Sequence, residues 1–184
     1  DSLLSLVEKI EGESCFIDKL VNCAGLGNRV NLVSHGQNSS SEQEIKLNCL
    51  ALTTLSEAVL CRADQPFIRR EIVNIGSSSA LQPLPFMSTY AATKSFVHSY
   101  SLGLQGEIRE AQRENGIVVR CVVPSGFYSN FQSSGGVKTN PKEKLFGADV
   151  MASRILSKKY NGPGLEYLSA RGRLMGLIAA VLPV

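Results

Sequence analysis

The sequence predicts an α/β fold built on a doubly wound parallel sheet, with helices on both faces. Short apolar runs alternate along the chain with longer segments that have helical apolar spacing. Each short run ends in a cluster of Asn, Gly or Ser residues. The segments between the runs are long enough for the helical crossovers that join parallel strands. Together these features favour one sheet covered by helices on both faces.

The elements are expected in a regular order. In chain order, we predict a helix over 2–10 with Asp1 as N-cap, a buried strand over 16–22, an exposed loop over 28–41, a helix over 42–61, a buried strand over 71–75, a helix over 88–111, a strand over 116–123, a polar loop over 128–141, a helix over 143–159 and a short strand over 164–169. No internal repeat or second domain is visible, so residues 1–184 are expected to form a single domain.

Composition narrows the class of protein. Hydrophobic residues make up 43% of the chain and charged residues 19%, which is enough apolar material for a packed core. The net charge of +3 comes without a basic cluster, which argues against a nucleic-acid partner. The five cysteines are odd in number and lack a C-x-x-C spacing. We therefore expect no disulfide framework, no metal site and a reducing compartment, the cytoplasm.

The apolar C-terminal stretch, 174–184, is shorter than the roughly 20 residues that a membrane-spanning helix needs. Because it follows Arg171 and Arg173, contact with a membrane surface is an alternative. A buried amphipathic helix is the favoured interpretation.

Polar residues cluster directly after three predicted strands, at 22–27, 76–79 and 124–129. The carboxyl ends of parallel strands lie along one rim of a sheet, which is where open α/β sheets bind ligands. The three clusters should therefore converge on one binding site.

Tyr90 and Lys94 are four residues apart and share one face of the predicted helix. A free phenol has a pKa of about 10, too high for efficient proton transfer at neutral pH. An ammonium about 4 Å away, at an effective dielectric near 20, favours the phenolate by about 4 kcal/mol before desolvation. We therefore expect Lys94 to lower the pKa of Tyr90. The alternative is a solvated helix face with an exposed lysine.

Ser77 directly follows the strand over 71–75 and precedes Tyr90 by 13 residues. A hydroxyl at this rim can hydrogen-bond a substrate oxygen and hold it against the phenol. Loop and helix-cap roles are the alternative for Ser77, Ser78 and Ser79.

Five motifs in order give the chain a resemblance to the short-chain dehydrogenase/reductases over nearly its whole length. They are Val21-Asn22-Cys23-Ala24-Gly25, Leu47-Asn48, Ile72-Val73-Asn74-Ile75-Gly76-Ser77, Tyr90 with Lys94, and Val123-Pro124-Ser125-Gly126, with Ser129 where the family has a Thr. Cys23 replaces the second Asn of the family's Asn-Asn-Ala-Gly motif. The glycine of the Pro-Gly motif comes one position late, at Gly126.

The resemblance implies a Rossmann-like fold and a hydride transfer between NAD(P), with NADP slightly favoured, and a carbonyl or alcohol. It assigns catalytic roles to Asn48, Ser77, Tyr90 and Lys94. Tyr90 would be the acid/base, Ser77 would orient the substrate oxygen, Lys94 would also hold the nicotinamide ribose, and Asn48 would bend its helix and anchor a water. The cofactor-binding residues would be Asn22, Ala24, Gly25, Tyr90, Lys94, Pro124, Phe127 and Ser129, and the substrate-binding residues Ser77 and Tyr90.

The family's Gly-rich phosphate loop has no counterpart in residues 1–184, since no further Gly follows Gly25-Leu26-Gly27 at the spacing that a pyrophosphate-binding turn requires. The fold is therefore expected to be N-terminally incomplete. Residues 1–184 alone should bind NAD(P) poorly, aggregate through an open strand edge, and show no turnover.

Three further expectations concern partners and alternatives. Phe86, Met87, Phe127, Tyr128 and Phe131 favour a small apolar carbonyl or alcohol substrate. The helices over 42–61 and 88–111 are apolar on more than one face, which favours a homodimer or homotetramer, and His35 and His98 are expected at the surface or in that interface. The alternatives are a catalytically silent dinucleotide-binding or scaffold homologue, and a nucleotide-sugar epimerase or dehydratase, for which the region after Lys159 leaves little room.

Overall fold

The computed structural model describes residues 2–12, 16–35, 39–61, 69–111, 116–124, 127–128, 146–157, 164–169, 172–174 and 176–177. The helices are α1 (Ser2–Gly12), α2 (Leu32–His35), α3 (Ser39–Ile45), a π-helical segment (Lys46–Ala51), α4 (Leu52–Cys61), a 3₁₀ turn (Ser78–Leu81), α5 (Ser88–Glu110) and α6 (Ala148–Leu156). The strands are β1 (Lys19–Asn22), β2 (Arg70–Ile75), β3 (Ile117–Val123), β4 (Phe127–Tyr128), β5 (Phe146–Gly147) and β6 (Gly164–Tyr167).

The main sheet has the strand order β1-β2-β3-β6, and every neighbouring pair is parallel. Helix α4 lies between β1 and β2 in the chain, and α5 lies between β2 and β3. This arrangement confirms the predicted α/β fold of Rossmann-like type. It also places the carboxyl ends of β1, β2 and β3 along one rim.

Alternate residues of each strand face opposite sides of this sheet, and helices cover both sides. One side packs against α4 and α5 through Val59, Ile72, Leu104, Ile108, Ile117 and Val119. The other side packs against α6 through Val73, Ile75, Val122, Met151 and Leu168. The doubly wound arrangement predicted from the sequence is therefore confirmed.

Three predicted elements are wrong in part. The predicted buried strand over 16–22 is shorter, and its residues are exposed or half-buried. The reason is that β1 pairs only with β2 in the described part of the chain.

The predicted loop over 28–41 contains α2 and the start of α3. The side chain of Asn31 caps α2, because its Oδ1 accepts hydrogen bonds from the backbone N–H groups of Val33 and Ser34, both at 3.2 Å. The Asn- and Ser-rich composition that resembles a loop thus supplies a helix cap.

The predicted helix over 143–159 is also shorter in the described residues, where α6 begins only at Ala148. Gly147 has extended backbone angles (φ −69°, ψ 158°) and forms β5 with Phe146. Strand β5 pairs with β4 in a second, two-stranded sheet. Phe146 and Gly147, directly before α6, are therefore strand rather than helix.

The π-helical segment interrupts one continuous helical stretch from Ser39 to Cys61. Short π segments widen a helix by one residue per turn and occur frequently at functional sites. Buried within this segment is Asn48. The predicted single helix is therefore present, but its middle turn is wound differently where Asn48 faces inward.

A row of charged side chains crosses the four strands of the main sheet. Lys19 on β1 is 2.7 Å from Glu71 on β2, and Glu71 also pairs with the fully buried Arg120 on β3. Arg120 binds both carboxylate oxygens of Glu166 on β6, at 2.7 and 2.8 Å. Two carboxylates thus neutralise the buried guanidinium from both sides. We call these four residues the charge ladder.

Candidate active site

Tyr90 and Lys94 lie in the first turns of α5, at the carboxyl end of β2. Their exposed fractions are 8% and 6%, so the alternative of a solvated face with an exposed lysine is wrong. The Lys94 Nζ atom donates a hydrogen bond of 2.8 Å to the Ile75 carbonyl oxygen and lies 6.0 Å from the centre of the Tyr90 ring. The last carbonyl of β2 therefore fixes the ammonium beside the phenol.

The pKa of Tyr90 differs from the sequence-based prediction. Burial raises this pKa, a hydrogen bond from Ser77 lowers it, and the charge of Glu44 raises it further, with a net shift upward. Burial also lowers the pKa of Lys94. The expected lowering of the Tyr90 pKa by Lys94 is therefore wrong for this structure, because desolvation of the phenol outweighs the favourable contacts. The phenol is held in its protonated form.

Ser77 combines the two roles that the sequence left open. Its Oγ accepts a hydrogen bond of 3.1 Å from the Ser79 backbone N–H and so caps the 3₁₀ turn. The same side chain hydrogen-bonds Tyr90. The cap fixes the Ser77 side chain at the position where it meets the phenol.

His98 lies behind Ser77 and is buried, so its predicted surface position is wrong. Its Nε2 accepts a hydrogen bond of 3.4 Å from the Ser77 backbone N–H. Burial, with a smaller effect of the Lys94 charge, lowers the pKa of His98 to about 4. The imidazole is therefore neutral at neutral pH, as an acceptor nitrogen requires. The side chain of His35 lies outside the described residues.

Asn48 connects three parts of the site. Its Oδ1 accepts from the Leu26 backbone N–H at 2.9 Å, and its Nδ2 donates to the Leu26 carbonyl at 2.7 Å and to Thr93 Oγ1 at 2.9 Å. A Cβ atom on Gly25 would lie 3.4 Å from Asn48 Oδ1 and 3.5 Å from Lys94 Nζ. The structure thus brings the 22–27 segment against Asn48 and Lys94, as the predicted convergence requires.

The other residues predicted to bind the cofactor differ in their exposure and in their contacts. Asn22 directs its side chain to Asn74 Oδ1 (2.8 Å) and Ser56 Oγ (3.1 Å), which ties β1 to β2 and α4. Ala24 is exposed near the rim, and Pro124 is buried at the end of β3. The backbone of Phe127 belongs to β4, but its side chain and the whole of Ser129 and Phe131 lie outside the described residues.

Sequence reasoning missed Glu44. This side chain is one helical turn before Asn48 and is buried, and its Oε1 accepts from the backbone N–H (2.9 Å) and the side-chain amide (3.0 Å) of Asn28. The available signal was an acidic residue four positions before Asn48 on the same helix face.

No group of His, Cys, Asp or Glu side chains in the described residues could hold a metal ion. Among the described helices, none combines the length and apolar character that crossing a membrane requires.

The sequence of this chain is similar to known proteins. A family model described as short chain dehydrogenase matches residues 1–138. The chain belongs to this family. Among curated members, the chain is 31% identical over 134 residues to human dehydrogenase/reductase SDR family member 11, covering 71% of this chain and 50% of the human protein. It is 30% identical over 162 residues to the Escherichia coli 3-oxoacyl-(acyl-carrier-protein) reductase FabG, covering 84% of this chain and 64% of that one.

Solved structures of the short-chain dehydrogenase family agree with the fold. A short-chain dehydrogenase from Sphingobium yanoikuyae in complex with NADPH superimposes with a TM-score of 0.70 at 29% identity, covering 96% of this chain and 68% of the other. The chain spans about half to two thirds of the length of the curated relatives described above. The chain therefore shares the fold of the short-chain dehydrogenases and matches part of their length.

Proposed function

We propose that the protein is an NAD(P)-dependent oxidoreductase that interconverts a carbonyl and an alcohol, with Tyr90 as the acid/base. The observation that carries this proposal is that buried Tyr90, Lys94 and Asn48 lie with half-buried Ser77 at the carboxyl ends of the strands. Ser77 is hydrogen-bonded to Ser79, Lys94 to Ile75 and Asn48 to Thr93, and Ser77 in turn hydrogen-bonds Tyr90, so the group is preorganised. Such preorganisation supports catalysis over a merely structural role.

Tyr90 acts as the proton donor in carbonyl reduction. A phenol carries its proton at neutral pH, and Tyr90 donates that proton to the substrate oxygen as negative charge develops there. Ser77 provides a second hydrogen bond to that oxygen and fixes its position. A bound nicotinamide cofactor supplies or accepts the hydride. In alcohol oxidation, the same phenol oxygen takes up the proton.

The donor groups of the site fit a dinucleotide. The Lys94 ammonium has three N–H donors, of which one is given to Ile75 among the described residues, so two remain for the hydroxyl groups of the nicotinamide ribose. Gly25 presents bare backbone beside Lys94, and Ala24 and Pro124 flank the rim. We propose NADP over NAD, supported by the NADPH complex of the Sphingobium relative. Phe127 and Ser129 stay proposed contacts of the nicotinamide end.

The proposed substrate is a small apolar carbonyl compound or alcohol. Support comes from the exposed ring of Phe86 and from Met87, which directly precede the helix that carries Tyr90.

The proposed compartment is the cytoplasm, because the four described cysteines, at positions 23, 49, 61 and 121, are all free thiols.

The proposal is tested by Tyr90→Phe in the protein produced from its whole coding sequence. This substitution removes only the hydroxyl, so turnover of a panel of ketones with NADPH should fall by roughly 10²-fold or more. Affinity for NADPH, measured by cofactor fluorescence, should stay within a few-fold.

Tyr100→Phe is the matched control, because Tyr100 lies on the same helix and its hydroxyl is outside the site. It should leave turnover unchanged. A Tyr90→Phe variant that keeps more than about a tenth of the wild-type rate would rule out Tyr90 as the acid/base. A wild-type protein that binds NADPH and reduces nothing would favour the silent homologue.

A further inference from the structure

Glu44 has one carboxylate oxygen without a hydrogen-bond partner. The residue is 2% exposed, and although Oε1 accepts two hydrogen bonds from Asn28, Oε2 is buried and has no partner among the described residues. Burying a carboxylate oxygen without a partner costs free energy. Buried polar atoms of this kind need an explanation, and a functional role is one of the few available.

The position of Glu44 relates it to the site. Glu44 and Asn48 are one helical turn apart, and both hold the segment that follows β1: Asn48 binds Leu26, and Glu44 binds Asn28. Gly25, in the same segment, lies against Lys94. The helix therefore holds this segment at two points, which fixes the backbone that faces Lys94.

Glu44 lines a narrow cavity that has room for about one water molecule. Its lining includes Asn28, Met87 and Thr89, so it reaches the residues directly before Tyr90. One wall is strained, because Phe86 has a φ of 68°, and the Val30 N–H donates to the Phe86 carbonyl at 2.8 Å. Backbone strain of this kind concentrates at functional sites.

We propose that Glu44 is a positioning residue for the Tyr90 site: one carboxylate oxygen fixes the Asn28 end of the segment, and the carboxylate charge acts on Tyr90 from the cavity that Thr89 also lines. The inference rests on the proposed role of Tyr90.

Several other polar and titratable groups near Tyr90 also bear on its pKa. Ser77, after β2, hydrogen-bonds the phenol and lowers its pKa, whereas the Glu44 charge on α3 raises it. Lys94 lies on the helix of Tyr90 itself, and neutral His98 and the thiols of Cys23, Cys49 and Cys121 surround Lys94. On the Glu44 side, Asn28 is uncharged, and the Arg29 guanidinium stacks on the Phe86 ring at 4.9 Å.

Removing the Glu44 charge should therefore lower the pKa of Tyr90. The test is Glu44→Gln, which removes the charge and keeps an acceptor oxygen for Asn28. The ionisation of Tyr90 is measured by near-ultraviolet phenolate absorbance, with the titration of Tyr90→Phe subtracted in each background. We expect the Tyr90 transition to move to lower pH in Glu44→Gln.

Glu42→Gln is the matched control. Glu42 is on the same helix, makes the same charge change, and is exposed in an ion pair with Lys46 at 2.6 Å. It should leave the Tyr90 transition in place. Equal titrations of Glu44→Gln and wild type, or equal shifts in Glu44→Gln and Glu42→Gln, would overturn the electrostatic half of the proposal. This titration needs no turnover, so its outcome is independent of whether the proposed reaction is correct.

The loop-fixing half has its own readout. Glu44→Ala removes both Asn28 contacts, so NADPH binding, followed by cofactor fluorescence, should weaken several-fold, while Glu44→Gln should bind NADPH nearly as well as wild type. Wild-type affinity in Glu44→Ala would overturn this half. Where Glu44→Ala lowers the melting temperature too far for titration, Glu44→Asp replaces it, because its shorter side chain keeps the charge and withdraws the carboxylate from Asn28.

Discussion

The side-chain amine of Lys94 is buried, and its hydrogen-bond partner among the described residues is the Ile75 carbonyl. Burial lowers its pKa, and burial raises the pKa of the neighbouring Cys49 and of Cys121, the latter to about 12. The thiols of Cys49 and Cys121 are therefore protonated at neutral pH and do not compete as anions for the Lys94 charge. At the residue scale, the ammonium is left available to Tyr90 and to a ligand.

Gly76 is the residue between the end of β2 and Ser77, and it allows no side chain. A Cβ atom there would lie 2.6 Å from His98 Nε2 and 3.1 Å from Cys121 Sγ. We expect Gly76→Ala to lower the free energy of unfolding by about 1–3 kcal/mol through overpacking, as measured by urea denaturation. Because the clash is with His98, adding His98→Ala should recover part of this loss.

Gly103→Ala provides the control for that experiment. Gly103 lies within α5, and an added Cβ would meet nothing within 4 Å. Alanine is favoured over glycine inside a helix by roughly 0.5–1 kcal/mol, so this variant should be stabilised. Equal stabilities of Gly76→Ala and Gly103→Ala would contradict the close approach of His98.

At the scale of elements, the sequence predicts the helices better than their local winding. Apolar spacing is enough to predict a helix over 42–61 and to place Asn48 on it. The π-helical segment could not be predicted, because the partners of Asn48 are Leu26 and Thr93, which are distant in the chain. Glu44 was missed for the same reason, since its role depends on Asn28, 16 residues earlier.

The charge ladder links the four strands of the main sheet and should make their stability depend on pH. Burial raises the pKa of Glu71, but hydrogen bonds from Lys19 and Arg120 together lower it below its ordinary value of 4.5. A depressed carboxyl pKa stabilises the folded state above that ordinary value, and the stabilisation is lost as the pH falls through the folded-state pKa. We therefore expect the Glu71 contribution to leave the urea midpoint unchanged down to about pH 4.5. At more acidic pH, the loss of this contribution should lower the urea midpoint.

Glu71→Gln should remove this acid dependence and cost about 1.5–3 kcal/mol at neutral pH, because it weakens a charge-assisted hydrogen bond to buried Arg120. The exposed Glu42→Gln serves as the comparison, since exposed ion pairs contribute little. If both variants have the same urea midpoints across the acid range, the ladder does not contribute as described.

At the scale of the whole molecule, the parallel sheet and its carboxyl rim could be predicted because long helices alternate with short strands. The motifs also give the order of the site residues along the chain, so the sequence alone predicts that Ser77, Tyr90 and Lys94 share one site. Strands β4 and β5 could not be predicted. Each has two residues, which is too few to show any periodicity. Residues 129–145 separate the two strands in the chain.

Assembly belongs to the same scale. Among the apolar residues of the two helices expected to pair in an oligomer, Val59, Val97 and Leu104 are buried in the core, but Leu50 and Phe96 are 60% and 40% exposed. We propose that these two side chains belong to the interface of a homodimer or homotetramer. Leu50→Glu combined with Phe96→Glu should shift the protein to monomer in light scattering.

Val33→Glu is the control for assembly, because Val33 is 97% exposed and belongs to α2 rather than to either of the two helices. It should leave the oligomer intact. A wild-type protein that is monomeric at micromolar concentration, or a double variant that keeps its wild-type mass, would exclude this interface.

The Asn48 amide has a consequence for the order of events during folding. It joins Leu26, 22 residues before it, to Thr93, 45 residues after it. Closing loops of these lengths costs chain entropy, and contacts between distant parts of a chain form slowly. We therefore expect the site to be assembled after the local helices, so that during refolding NADPH binding returns later than the far-ultraviolet helical signal.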